Sequence, residues 1–324
     1  MDNFALKVED LVVYLDDLIA VRGVSFVINK GERWGLVGES GAGKSLTALA
    51  IMGLLQDGWK TSGAVLHDGM NLLQASDKTL SARRGRTMSM VFQDPTTALN
   101  PVAKVGKQIT WILRHHMHVT QKDAYEQSLV LLNKMNLPRP ESIMDSYPHQ
   151  LSGGQRQRIM IAMALACYPE LIIADEPTTA LDVTVQKQVL RLLDAAVTER
   201  NCGLLLITHD LPVIAAMCEN VAVMYGGRIV ETGKISDVFT NPRHPYTKGL
   251  LASQPTLDNI DLDGGTRLPS IRGSVPPLYA MPDGCAFAER CDFATQKCKE
   301  LPELDNQIQR VACWNPVAEA RKGA

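Results

Sequence analysis

The chain has 324 residues, with 33 Lys and Arg against 35 Asp and Glu, so its formal net charge is −2. That length supports a substantial core, and 45% hydrophobic with 21% charged residues excludes a disordered tail or a collagen-like repeat. The near-zero charge removes a global electrostatic argument for nucleic-acid binding, and no run reaches the roughly 18 uninterrupted apolar residues that span a bilayer.

The opening MDNFALKVED has neither a basic start nor a long apolar stretch, which predicts no secretory signal and a cytoplasmic location. Leu6 and Val8, Val12 and Tyr14, then Val24, Phe26 and Ile28 alternate with polar residues, the pattern of antiparallel strands. Asn29 to Glu32 reads as a turn, Trp34–Val37 as a short strand, and Lys44 to about Leu54 as a helix. From roughly Asp94 to Ala166 the apolar spacing is helical, as in Ile109, Ile112 and Leu113, then Leu129, Leu132 and Met135. Strands return at Leu171–Ala174 and Leu204–Thr208, with a helix over about Val183–Thr198 between them. Val221–Met224 and Arg228–Glu231 flank Gly226-Gly227, a hairpin turn. After Asn241-Pro242 the composition shifts to Pro, Gly and Asp, marking an appended segment.

Three motifs carry chemistry. Gly38-Glu39-Ser40-Gly41-Ala42-Gly43-Lys44-Ser45 matches G-x-x-x-x-G-K-[ST] between a predicted strand and a predicted helix. There the glycines turn successive N–H groups toward a phosphate and the helix N-terminus adds partial positive charge. Lys44 is placed to reach the β- and γ-phosphates of ATP, and Ser45 to ligate Mg²⁺. Leu171 to Ala174 is an apolar strand ending in Asp175 and Glu176, two carboxylates that need partners. Asp175 is placed to hold Mg²⁺ and Glu176 to polarise the attacking water. Leu151-Ser152-Gly153-Gly154-Gln155 opens another helix with anion-binding backbone donors, a second surface for the same ligand.

With these motifs in order over about residues 5–240, the sequence resembles the ATP-binding cassette ATPases. The resemblance implies an α/β fold: a P-loop NTPase core with a RecA-like mixed sheet and an antiparallel β subdomain over residues 1–240. It also implies a helical subdomain at about 94–165 and a cysteine-bearing extension at 241–324. Tyr14 matches the residue that stacks on adenine, Gln93 the glutamine that contacts Mg²⁺ or the attacking water, and His209 the histidine that touches the γ-phosphate. Asp182, in Ala180-Leu181-Asp182, matches the acidic residue that couples two sites. Ser152, Gly153, Gly154 and Gln155 match the signature that completes a partner's site in a head-to-tail dimer.

One cassette, no membrane span and no coiled coil between Lys44 and Ser152 favour a transporter subunit over a soluble regulatory or repair ATPase. Phe92 to Pro95, Leu99-Asn100-Pro101 and Asn241 to Thr247 resemble the dipeptide/oligopeptide/nickel importer ATPases, and in particular the first-listed, D-type ATPase of operons that encode two. That likeness implies a second ABC ATPase as heterodimer partner, with a homodimer left open, two transmembrane permease subunits and an extracytoplasmic substrate-binding protein. It places the chain peripherally on the cytoplasmic face of the bacterial inner membrane. The implied cargo is di- or oligopeptide, with nickel chelates and other small solutes as alternatives.

Of seven cysteines, Cys167, Cys202 and Cys218 read as scattered small hydrophobes. Cys285, Cys291, Cys298 and Cys313 need another account, and their spacing lacks the tight C-x2–4-C knuckles of structural zinc. Four thiolates so spaced suit an iron–sulfur cluster equally well. The family resemblance favours [4Fe–4S], with Zn²⁺ the alternative. His115, His116 and His118 read as a solvated helix face rather than a nickel site.

Overall fold

The computed structural model describes residues 4–179, 181–254 and 270–317. The alternating N-terminal segments form a hairpin of β1 (Phe4–Leu15) and β2 (Leu18–Asn29). β4 (Trp59–His67) joins β1, and β5 (Met70–Asn71) joins β4, completing an antiparallel sheet in the order β2-β1-β4-β5. The larger sheet contains β3 (Arg33–Val37), β6 (Met88–Val91), β7 (Leu171–Asp175), β8 (Gly203–Ile207), β9 (Asn220–Tyr225), β10 (Arg228–Lys234) and β11 (Arg310–Val311). Its order is β11-β10-β9-β3-β8-β7-β6, parallel from β9 to β6 and antiparallel at β10 and β11. The turn between β9 and β10 is two residues long, and Gly226 (φ 52°) and Gly227 (φ 81°) supply the two positive φ angles such a turn requires.

Burial on both faces explains why the central strands are continuously apolar. Leu171 and Ile173 of β7 face the antiparallel sheet and α1 (Lys44–Met52), while Ile172 and Ala174 face the helices on the other side. α2 (Asp77–Arg83) flanks the first layer. The helical insertion comprises α3 (Pro95–Ala98), α4 (Val105–Met117), α5 (Gln121–Lys134), α6 (Pro140–Asp145) and α7 (Gly153–Leu165). Val105, Ile109 and Leu113 repeat every four residues and pack with Leu131 and Leu132 of α5 in one buried cluster. Thr120 caps α5 by accepting the Asp123 N–H. α8 (Val183–Arg200), α9 (Leu211–Met217), α10 (Ile235–Thr240) and α11 (Pro245–Ala252) complete the α-helices among the described residues.

The composition-marked tail is built into the main sheet through β11. Glu231 on β10, with no exposed surface, explains the docking. It accepts the N–H groups of Arg243 (2.7 Å) and His244 (2.9 Å) and the Gln309 side-chain amide (2.7 Å). Three donors offset the cost of burying a carboxylate. Among the described residues no helix is long and apolar enough to cross a membrane.

Candidate nucleotide site

Four neighbouring parallel strands end at one edge of the sheet, and each leads into a residue singled out by sequence. β3 leads into the phosphate loop, β8 into His209, β7 into Glu176 and β6 into Gln93. This is the carboxyl edge of an open α/β sheet, where ligands bind. Gly43 closes the loop at φ 101°, and a Cβ there would lie 2.9 Å from the Met224 side chain and 3.1 Å from the Ala20 carbonyl. Only glycine fits both the angle and the space.

Lys44 is buried, and its Nζ donates to the carbonyls of Gly38 (2.8 Å) and Glu39 (3.0 Å). Burial pulls its pKa below the usual lysine value, opposed by the charges of Glu176, Asp175 and Glu39. The Ser45 hydroxyl donates to Asp175 Oδ1 at 3.1 Å, so two of the three residues expected at Mg²⁺ already adjoin. Burial raises the Asp175 pKa, with the Ser45 bond opposing it. A hydroxyl from the first turn of α1 and a carboxylate from the end of β7 are oxygen donors that suit a hard, largely hydrated cation such as Mg²⁺.

Glu176 is the hub of the remaining residues. It accepts from Thr179 Oγ1 (2.8 Å) and Gln93 Nε2 (3.3 Å), and its other oxygen lies 3.3 Å from His209 Nδ1. Burial would raise its pKa, yet the bonds from Thr179 and His209 and the charges of His209 and Lys44 win, leaving it below the ordinary glutamate value. Its backbone is left-handed (φ 44°), a strained conformation for a residue with a side chain. Gln93 thus bonds Glu176, beside the Ser45–Asp175 pair expected to hold the metal with it. Thr179 was not singled out by sequence; only its place three residues after Glu176 hinted at it.

Other expected residues lie apart from this cluster. Tyr14 is half-buried on β1, paired with Ile19 and Lys60. Ser152 caps α7: its hydroxyl accepts the Gln155 N–H (3.3 Å) while Gln155 Oε1 accepts the Ser152 N–H (2.9 Å). Among the described residues the N–H groups of Gly153 and Gly154 have no intrachain acceptor. Asp182 caps α8 by accepting from Thr184 and Val185 (3.1 and 3.0 Å), and Ala180 of its loop lies outside the described residues.

All seven cysteines are free thiols. Burial pushes the Cys167 and Cys202 thiols up to about 11 and Cys218 to about 12, as suits inert packing groups. Cys285, Cys291, Cys298 and Cys313 line one small cavity with His244 and Phe287. Backbone N–H groups of Phe293, Thr295 and Asn315 point at the sulfurs of Cys291 (3.4 Å), Cys298 (3.5 Å) and Cys313 (3.3 Å). The converged metal site expected from the spacing is not formed: among the described residues no group of three or more His, Cys, Asp or Glu side chains could hold a metal ion. His115 and His118 are exposed and His116 half-buried; the His115 ring stacks on Trp111 at 4.9 Å.

The strand-edge phosphate loop, paired carboxylates and helical insertion define an ATP-hydrolysing cassette. Residues 21–179 match the ABC transporter family model, and residues 230–298 match the oligopeptide/dipeptide transporter C-terminal region. The chain belongs to the ABC transporter family of ATP-binding proteins, in the group that carries this C-terminal region. It is 44% identical over 323 residues to the oligopeptide transport ATP-binding protein OppD of Salmonella typhimurium, covering 98% of this chain and 95% of that one. It is 47% identical over 311 residues to the probable D,D-dipeptide transport ATP-binding protein DdpD of Escherichia coli, covering 94% and 93%. The dimeric post-hydrolysis structure of the ATP-binding cassette MJ0796 bound to ADP and Pi superposes with a TM-score of 0.64 at 27% identity, covering 71% of this chain and 98% of that chain. The structure of cbiO1 from Clostridium perfringens, part of the ABC transporter complex cbiONQ, gives 0.62 at 30% identity, covering 74% and 91%.

Proposed function

We propose that this chain hydrolyses ATP to power a membrane importer of di- or oligopeptides. The observation that carries the chemistry is the Glu176 hub, joined to Gln93, Thr179 and His209 on the sheet edge that also bears Lys44 and Asp175. The peptide assignment is supported by 44–47% identity to peptide transport ATP-binding proteins along nearly the whole chain.

In this reading Lys44 leaves the Gly38 and Glu39 carbonyls to bind the β- and γ-phosphates, while the loop's N–H groups hold them. Ser45 and Asp175 would hold Mg²⁺, which when bound would offset the negative charge of the phosphates. Glu176, ionised at neutral pH, accepts the proton of the attacking water. Gln93 and Thr179 fix that carboxylate, and His209 reaches the γ-phosphate. Tyr14 stacks on adenine.

The unengaged Gly153 and Gly154 N–H groups support a head-to-tail dimer, in which residues 152–155 of one subunit close on the γ-phosphate held by the other. A second ATPase as partner, two permeases and an extracytoplasmic binding protein complete the assembly, with this chain on the cytoplasmic face of the cell membrane. The half-open groove of Trp111, Ile112, His116 and Met163 between core and insertion suits a permease helix.

The four tail cysteines are read as ligands of a [4Fe–4S] cluster. They surround a cavity rather than meet at one point, and three receive backbone N–H groups. That arrangement suits a multi-atom cluster better than one Zn²⁺. When bound, the cluster would tie together an otherwise irregular segment.

Two measurements test these readings. ATP hydrolysis by the purified chain with its permeases should rise when peptide-loaded binding protein is added, and indifference to peptide would sink the assignment. Iron and sulfide on anaerobically purified protein should be stoichiometric and absent from Cys285→Ser. Zinc, or no metal, would sink the cluster.

A further inference from the structure

Glu39 is the second residue of the phosphate loop, and its charge is felt at Lys44. A carboxylate there repels a triphosphate unless something compensates it. The compensation comes from the tail, 251 residues away in sequence. Arg290 forms a two-pronged pair with Glu39, Nη1 to Oε2 at 2.6 Å and Nη2 to Oε1 at 3.0 Å, and its side chain is only 6% exposed. The remaining guanidinium donors are also engaged: Nε bonds the Arg272 carbonyl (2.7 Å), Nη2 the Gly273 carbonyl (3.3 Å) and Nη1 the Tyr225 hydroxyl (3.1 Å). The Tyr246 hydroxyl accepts the Glu39 N–H at 2.8 Å. Tyr246, Tyr225 and Phe287 pack as a cluster with ring centroids 4.6–5.4 Å apart. Glu39 is thus held by its N–H and its carboxylate while its carbonyl holds Lys44.

We propose that Arg290 is a positioning residue for ATP: through Glu39 it neutralises and fixes the first half of the phosphate loop, so that the tail sets nucleotide affinity. Arg290 immediately precedes Cys291, and Phe287 lies between Cys285 and Cys291, so the cysteine-bearing segment carries this arm. The inference rests on the phosphate loop binding ATP, and it stands with or without a cluster.

The test is a double-mutant cycle of Mg²⁺-dependent binding of a fluorescent ATP analogue to the full chain. Arg290→Ala exposes an uncompensated carboxylate and should weaken binding about tenfold. Glu39→Gln removes the charge and the pair together and should weaken it about threefold, and the double variant should match Glu39→Gln, recovering most of the loss. Wild-type affinity in Arg290→Ala, or a double variant weaker than both singles, would overturn the proposal. A residue that only fastened the tail would lower the melting temperature without any rescue by Glu39→Gln. If Arg290→Ala does not fold, Arg290→Lys keeps the charge without the fork and runs the same cycle. Failure of the unmutated chain to bind the analogue would instead refute the nucleotide-site reading.

Discussion

Replacing Glu176 with Gln separates chemistry from binding at this site. The carboxylate is 15% exposed and accepts from Thr179 and Gln93 on one oxygen. A glutamine with its carbonyl in that position keeps both bonds, and its amide can donate to His209 Nδ1 in the matching tautomer. The fold and the ATP pocket should therefore survive. What disappears is the proton acceptor, whose removal costs about 10²–10⁴-fold in rate, or about 3–5 kcal/mol of barrier. Removing a negative charge near Lys44 should also tighten ATP binding. Phosphate release under saturating Mg²⁺-ATP, with dimer formation followed by size-exclusion chromatography, reads both effects. A hydrolysis rate within about threefold of wild type would refute the role of Glu176 as base. Loss of ATP binding would refute the claim that glutamine keeps these bonds and with them the ATP pocket.

Three further substitutions probe other parts of the structure. Lys44→Ala removes the only buried lysine among the described residues at the loop and should abolish ATP binding at millimolar nucleotide in calorimetry, with the melting temperature little changed. Ser152→Ala removes the cap of α7, costing about 1 kcal/mol in urea unfolding, and should abolish ATP-induced dimerisation of a Glu176→Gln background. Glu231→Gln turns one of two acceptor oxygens, which serve three buried donors, into a donor. It should cost about 1–3 kcal/mol and raise proteolytic cleavage within residues 270–317. Cleavage at the wild-type rate would contradict the role given to Glu231.

Much of the nucleotide site was legible because its residues come in short, ordered motifs whose spacing is dictated by phosphate geometry. The alternation of β1 and β2, the apolar β7 and β8 and the Gly226-Gly227 turn were readable for the same local reasons. Residues 59–91 gave little signal: none of the first six residues of β4 is buried, and β6 is four residues long. The tail's composition marked it as an appendage, yet β11 extends the main sheet and Glu231 collects donors from residues 243, 244 and 309. The Arg290–Glu39 pair joins residues 251 apart, and no local pattern announces it. Nor does any local pattern announce that the Gln93 amide meets Glu176, 83 residues further along the chain.

The most direct test of the central claim is peptide uptake into proteoliposomes that hold this chain with its partner ATPase, permeases and binding protein, with ATP supplied on the side of the cassettes. Uptake should require Mg²⁺-ATP and stop when this chain carries Glu176→Gln. Uptake that continues with the variant, or ATP hydrolysis that proceeds without any peptide movement, would contradict it.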